Sequence, residues 1–207
     1  TGTGGTGEAL STSGAVTTST GATTEASQPP TRLQHYADGK CATPLWCFEN
    51  GQISQGAPVR IFAQECFTGV TPPFRVSRIG YWIAATRGTP SDPVIELRGF
   101  DGTSPGASPL VPPAGLGGGD VSPGYHEVAL DWAVMTDSFC IGLAGGELAQ
   151  GTALGVAVDD VVPPLHQSFY RVDGVPPCNS AGQFLDTAVT QPTPTAQWCI
   201  DVDIVPL

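Results

Sequence analysis

The stretch FRVSRIGYWIAAT, Phe74 to Thr86, decides the fold. It contains no proline and carries the densest apolar pattern in the chain. Phe74 and Val76 alternate with Arg75 and Ser77, and then Ile79, Tyr81, Ile83 and Ala85 take up the opposite parity. A period of two that slips by one residue predicts a strand with a bulge near Ser77 and Arg78. Trp82 falls on the other parity, so material is expected on both faces of this strand, as at the centre of a β-sandwich.

The flanking sequence repeats the strand signal. Val59–Phe67 puts Val59, Ile61, Ala63 and Phe67 on one side and Arg60, Gln64 and Cys66 on the other. Val94–Phe100, Tyr125–Trp132, Ser138–Leu143, Leu154–Val158 and Ser168–Val172 follow as further strands. The clearest is AQWCIDVDIV near the C-terminus, where Trp198, Ile200, Val202 and Ile204 alternate with Gln197, Cys199, Asp201 and Asp203. One face of it is expected to be core and the other wet. Asp101 to Asp120 and the cysteine-bounded CATPLWC, Cys41 to Cys47, read as loops. About eight strands at this spacing predict an all-β, jelly-roll-like sandwich of two sheets.

Composition agrees and excludes several functions. Of 207 residues 13% are charged, while 27 are glycine and 20 proline, which suits many turns rather than helices. The net charge is −11, with Lys40 the single lysine and the arginines scattered. A phosphate-binding surface needs clustered basic residues, so no nucleic-acid partner is expected. No membrane-inserting run is present either. GLGGGD, residues 115–120, is not a phosphate loop, because no Lys-Ser/Thr pair and no helix follow it.

Residues 1–30 differ in kind from the domain expected over residues 31–207. TGTGGTGEALSTSGAVTTSTGATTEAS is nearly all Thr, Ser, Gly and Ala, the composition of a stalk or linker, with O-glycosylation as a further reading. Leu10, Thr12, Val16, Thr18 and Thr20 nevertheless share one parity and are mostly β-branched, so this arm suits a strand that pairs with another surface. The start Thr1-Gly2-Thr3 reads as a processed chain whose export signal is gone.

Six cysteines, Cys41, Cys47, Cys66, Cys140, Cys178 and Cys199, fit an oxidising compartment; no zinc spacing occurs among them. They allow 15 full pairings. Cys140 and Cys199 both sit on the non-core parity of clean strands, so these two are expected to face each other. The remaining four then form two bridges in one of three arrangements.

Catalytic signatures are absent: no GxSxG elbow between a strand and a helix (the GTSPG of residues 102–106 falls in a segment read as a loop), no HExxH and no P-loop. His35, His126 and His166 do not cluster in sequence. Asp101, Asp120, Asp159, Asp160 and Asp173 stand in or beside loops, where structural calcium could gather oxygen ligands, but none fits an EF-hand or a nonapeptide repeat and ordinary turns use the same residues. No cofactor is assigned. Trp46, Tyr81, Tyr125, Trp132 and Tyr170 are of the type that forms sugar platforms, and each also suits a core position.

The succession FRVSRIGYW, SFCIGL, SFYRVDG and AQWCIDVDIV resembles the jelly-roll modules carried on Thr/Gly-rich stalks by exported proteins of myxobacteria and related bacteria. The resemblance covers residues 59–205 and rests on core-strand patterns. It implies a non-catalytic module serving in adhesion, display or carbohydrate binding, and carries over no functional residue. The expected function is an extracellular or cell-surface structural protein that associates with its own copies through the arm, or binds a surface ligand. The alternative is a carbohydrate-binding module on a flexible stalk.

Overall fold

A computed structural model describes residues 1, 28–45, 48–49, 52–53, 60–145, 153–161, 165–173, 180–188 and 197–207. Its strands are β1 (Thr31–Gln34), β2 (Thr43–Leu45), β3 (Phe48–Glu49), β4 (Gln52–Ile53), β5 (Arg60–Phe67), β6 (Phe74–Arg87), β7 (Val94–Phe100), β8 (Pro105–Pro109), β9 (Ala114–Gly115), β10 (Gly124–Val134), β11 (Phe139–Ala144), β12 (Ala153–Asp159), β13 (Ser168–Asp173), β14 (Leu185–Asp186), β15 (Gln197–Trp198) and β16 (Ile200–Pro206). The described residues contain no α-helix, only a 3₁₀ turn at Gly118–Val121. No helix among them is long and apolar enough to cross a membrane.

Two antiparallel sheets form the sandwich. The first is organised on β6, whose fourteen residues are flanked by β16 on one side and β10 on the other. Its far end pairs with β12, which also holds β2 and β15, while β1 lies outside β16. The second sheet runs β14-β13-β5-β11-β7-β8, with β9 on β7. The expected slip in β6 is present. Asp203 pairs with Arg78 and Ile204 with Val76, so Ser77 is the extra residue opposite β16. The bulge lets both Phe74–Val76 and Ile79–Ile83 point into the core despite opposite parity.

The core fills the space between the sheets. Phe74, Val76, Ile79, Tyr81 and Ile83 of β6 meet Ile141, Leu143, Ile95 and Leu97 from the second sheet, with Ile200, Val202 and Trp198 beside them. Phe67, Phe74 and Phe139 form a run of tilted rings, with centroids 5.6 and 5.4 Å apart. Trp82 and Ala84 on the outer face of β6 pack on a second cluster, Tyr36, Cys41, Ala157 and Cys199, so β6 is covered on both faces as expected.

The cysteines correct one expectation. Cys199 is bonded to Cys41 and Cys140 to Cys66, so Cys140 and Cys199 do not pair. Both do point away from the core, but they belong to different sheets. Their outward directions are therefore opposite, and each joins the small cluster on its own outer face. Cys66 and Cys140 are direct cross-strand partners of β5 and β11. No described cysteine is free. Cys47 and Cys178 lie outside the described residues, as do Trp46, Val59 and the arm residues Leu10, Thr12, Val16, Thr18 and Thr20.

Candidate functional site

β10 is the longest strand at the margin of either sheet. Its eleven residues pair with β6 from Gly124 opposite Ile83 to Val134 opposite Phe74, and among the described residues its other flank has no partner strand. Alternate residues of such a flank present N–H and C=O groups to solvent, ready for another strand. Val128, Leu130 and Trp132 turn inward on the core, while Glu127, Ala129, Asp131 and Ala133 are exposed. The strand holds no proline, and its charges are the acidic Glu127 and Asp131.

Beside this flank the outer face of the first sheet carries a polar network across four strands. Arg78 of β6 directs Nε to Asp203 (2.7 Å), Nη1 to Tyr125 (2.9 Å) and Glu127 (3.1 Å), and Nη2 to Asp201 (2.6 Å) and Asp203 (2.9 Å). All five guanidinium N–H groups are thereby engaged. The fully buried Asp201 also accepts bonds from Arg32 Nη2 (3.0 Å) and the Tyr36 hydroxyl (2.7 Å). Hydrogen bonding from Arg78 holds the Asp203 carboxyl below its ordinary range. Burial, then the Asp201 charge, raises the Tyr125 phenol to about 12 and the Tyr36 phenol further. The network is saturated, so it reads as a clamp on β1, β16, β6 and β10 rather than as a ligand site. It fixes the outer edge of the sheet.

A second polar cluster lies at the seam between the sheets. Glu65 of β5 is fully buried and accepts bonds from the Ser168 hydroxyl and from Trp198 N (3.2 Å), while its other oxygen meets His35 Nδ1 at 2.5 Å. Burial raises the Glu65 carboxyl above its ordinary range, against the opposing effect of His35. Ser168 bonds to the carboxylate and to Gln197 (2.9 Å). The order hydroxyl, carboxylate, imidazole differs from the nucleophile–base–orienter order of a hydrolytic triad.

The remaining candidates are dispersed. Tyr81 is fully buried and donates to Asp120 O (3.0 Å); Trp132 and Tyr170 are half-buried on the core; Tyr125 stacks on Trp82, with centroids 5.3 Å apart. His126 Nε2 bonds Ser122 O and His166 Nδ1 meets Asp186. Asp101 accepts from Thr103 and Ser104, Asp120 from Gly117, Asp159 from Ala37 and Val161, and Asp173 from Arg171. No group of three or more potential metal ligands forms among the described residues. The open flank escaped sequence reading because a strand's neighbours are decided by partners distant in the chain.

The class defined by these observations is a disulfide-bonded, all-β two-sheet sandwich. No family model and no curated protein matches the chain. Among solved structures it is similar to a clostridial cysteine protease, Cwp84, after propeptide cleavage, at TM-score 0.53 and 11% identity over 75% of this chain and 38% of that one. A structure of the cysteine protease and lectin-like domains of Cwp84, described as a surface layer associated protein of Clostridium difficile, aligns at TM-score 0.49 and 9% identity, over 72% of this chain and 32% of that one. The chain thus spans about a third of the length of these proteins, and the likeness is one of fold.

Proposed function

We propose that this chain is an extracellular structural or adhesive subunit, and that residues 10–20 of one copy add as a strand to β10 of the next. The observation that carries the reading is the eleven-residue flank of β10, which no described strand pairs with. The arm segment Leu10–Thr20 has the same number of residues, and its β-branched parity suits a pleated surface. Main-chain hydrogen bonds supply affinity in such strand addition, with shallow contacts from alternate side chains. The chain enters the first sheet at β1, three strand positions from β10, roughly 14 Å across the sheet. The N-terminal entry and the acceptor strand thus lie at opposite margins of the sheet, so the addition is head-to-tail and propagates from copy to copy. The disulfides support an oxidising, extracellular setting.

Sedimentation of the full chain over a concentration series tests this. Polymers are expected, and deletion of residues 1–27 should leave a folded monomer that binds a synthetic peptide of residues 10–20. A monomeric full chain at high concentration, or equal assembly by the truncated form, would refute the reading.

A further inference from the structure

Three of the seven arginines converge on one aromatic ring at the outer face of the second sheet. The Arg171, Arg60 and Arg98 guanidinium carbons lie 4.0, 5.0 and 5.8 Å from the centre of the buried Phe62 ring. Phe184 meets Phe62 edge-on at 6.1 Å and lies under Arg98 and Arg171 at 5.2 and 5.4 Å. Glu96 pairs with Arg98 and, at 3.8 Å, Arg60; Asp173 pairs with Arg171. Three arginines are thus met here by Glu96, Asp173 and, on the adjoining loop, Asp101, a gathering of arginines in a chain of net charge −11.

A cleft of about 340 Å³ opens here, lined by Ser104, Pro105 and Ala107 on one wall and by Gly182, Gln183 and Phe184 on the other, with Arg171 between them. Both walls are held in place. Arg98 Nη1 donates to Gly106 O (2.8 Å) and Ala107 O (2.7 Å), and Asp101 caps the same loop through Thr103 and Ser104. Opposite, the Ser180 hydroxyl donates to Gln183 O (2.8 Å) and accepts from Val172 N (3.1 Å). The turn between them needs left-handed backbone at Ala181 (φ 53°) and Gly182 (φ 77°). A cleft with preset walls loses little freedom when it is filled.

Unused polar capacity marks the same face. Arg171 spends Nε and Nη2 on Asp173, and among the described residues no acceptor takes its Nη1. Among the described residues neither amide atom of the fully buried Gln64, on β5 two residues from Phe62, finds a partner, nor does Nε of Arg60. Buried polar atoms without protein partners are rare in native folds.

We infer that this cleft binds the end residue of an acidic glycan, a hexuronic acid. Its carboxylate would take the open edge of Arg171, its apolar face would lie on Phe184, and its hydroxyls would meet Ser104 and Gln183. A monoanion fits because Asp173 already answers part of the Arg171 charge and would repel a dianion such as phosphate. The site is remote in sequence from β10 and does not depend on strand exchange.

Calorimetric titration of the full chain with galacturonate- and glucuronate-terminated trisaccharides, and with the neutral galactose trisaccharide, tests the inference. Binding of an acidic probe is expected, with the neutral sugar at least tenfold weaker. Ala107→Trp, at an exposed wall position, should weaken that binding at least tenfold while leaving thermal unfolding and assembly unchanged. Arg171→Met should do the same, but it also removes a contact with buried Phe62, so Ala107→Trp is the deciding variant. Equal affinity for the neutral sugar, no binding of any uronate probe, or full binding by Ala107→Trp would overturn the inference.

Discussion

Gly80 sits where three side chains meet. A Cβ at this position would lie 2.2 Å from the Tyr125 hydroxyl, 2.5 Å from Arg78 Nη1 and 2.7 Å from Asp201 Oδ2. Those atoms are side-chain ends, but the saturated network leaves them no other place. Gly80→Ala is therefore expected to cost about 1–3 kcal/mol by overpacking, read from urea unfolding; an unchanged midpoint would show that the clamp relaxes freely. Glu65 makes a prediction of the opposite kind. Its folded-state carboxyl binds a proton more tightly than in the unfolded chain, so its contribution to stability is greatest at low pH. That contribution is lost as pH rises from the unfolded value of about 4.3 toward the raised folded one. Glu65→Gln removes this loss, so the variant should gain on the parent as pH increases through that window. Unfolding curves measured from pH 4 to pH 7 check it, and a difference independent of pH would contradict the assignment.

At the scale of elements, the two disulfides have nested loops: Cys66–Cys140 spans 74 residues inside the 158 spanned by Cys41–Cys199. On chain entropy loops of this length contribute roughly 4–5 kcal/mol each, and keeping only the longer one restricts the unfolded chain more, by about 0.7 kcal/mol. The double variant Cys41→Ala/Cys199→Ala should thus be less stable in guanidinium than Cys66→Ala/Cys140→Ala. The reverse order would place the effect in native packing. The elements themselves were legible to different degrees. β6 with its bulge, β5, β7, β11, β13 and β16 follow from period-two patterns, because a strand buried on one face must alternate. β1, β2, β8, β9 and β14 are two to five residues long and were not anticipated. Too short for a period, they owe their strand geometry to their partners, and three of them fall in the two segments read as loops, β2 in CATPLWC and β8 and β9 in Asp101–Asp120.

For the whole molecule, the same limit explains what was hidden in the site. Parity says which way a side chain points relative to its own sheet, not which sheet it belongs to, and so Cys140 and Cys199 were matched across the sandwich. The gathering of Arg60, Arg98 and Arg171 around Phe62 joins β5, β7 and β13, separated by long stretches of chain, and no local pattern announces it. With two bridges established, full pairing leaves Cys47 with Cys178. Peptide mapping without reduction should recover that third bridge, and titration of the unfolded, unreduced chain should find no free thiol; two reactive thiols would show that the pair stays open.

The position of β16 has a consequence for how the molecule is made. Of the described strands β16 comes last in sequence, yet it is an inner strand of its sheet, lodged between β1 and β6, and Cys199 beside it is bonded to Cys41 near the opposite end of the domain. No nascent chain that lacks residues 200–206 can complete that sheet, so β6 keeps an open flank until they emerge. Pairing across such sequence distances is slow. A growing polypeptide therefore cannot close the sandwich before β16 has emerged, and until then it stays open to proteases and chaperones but able to pass through a narrow translocation pore.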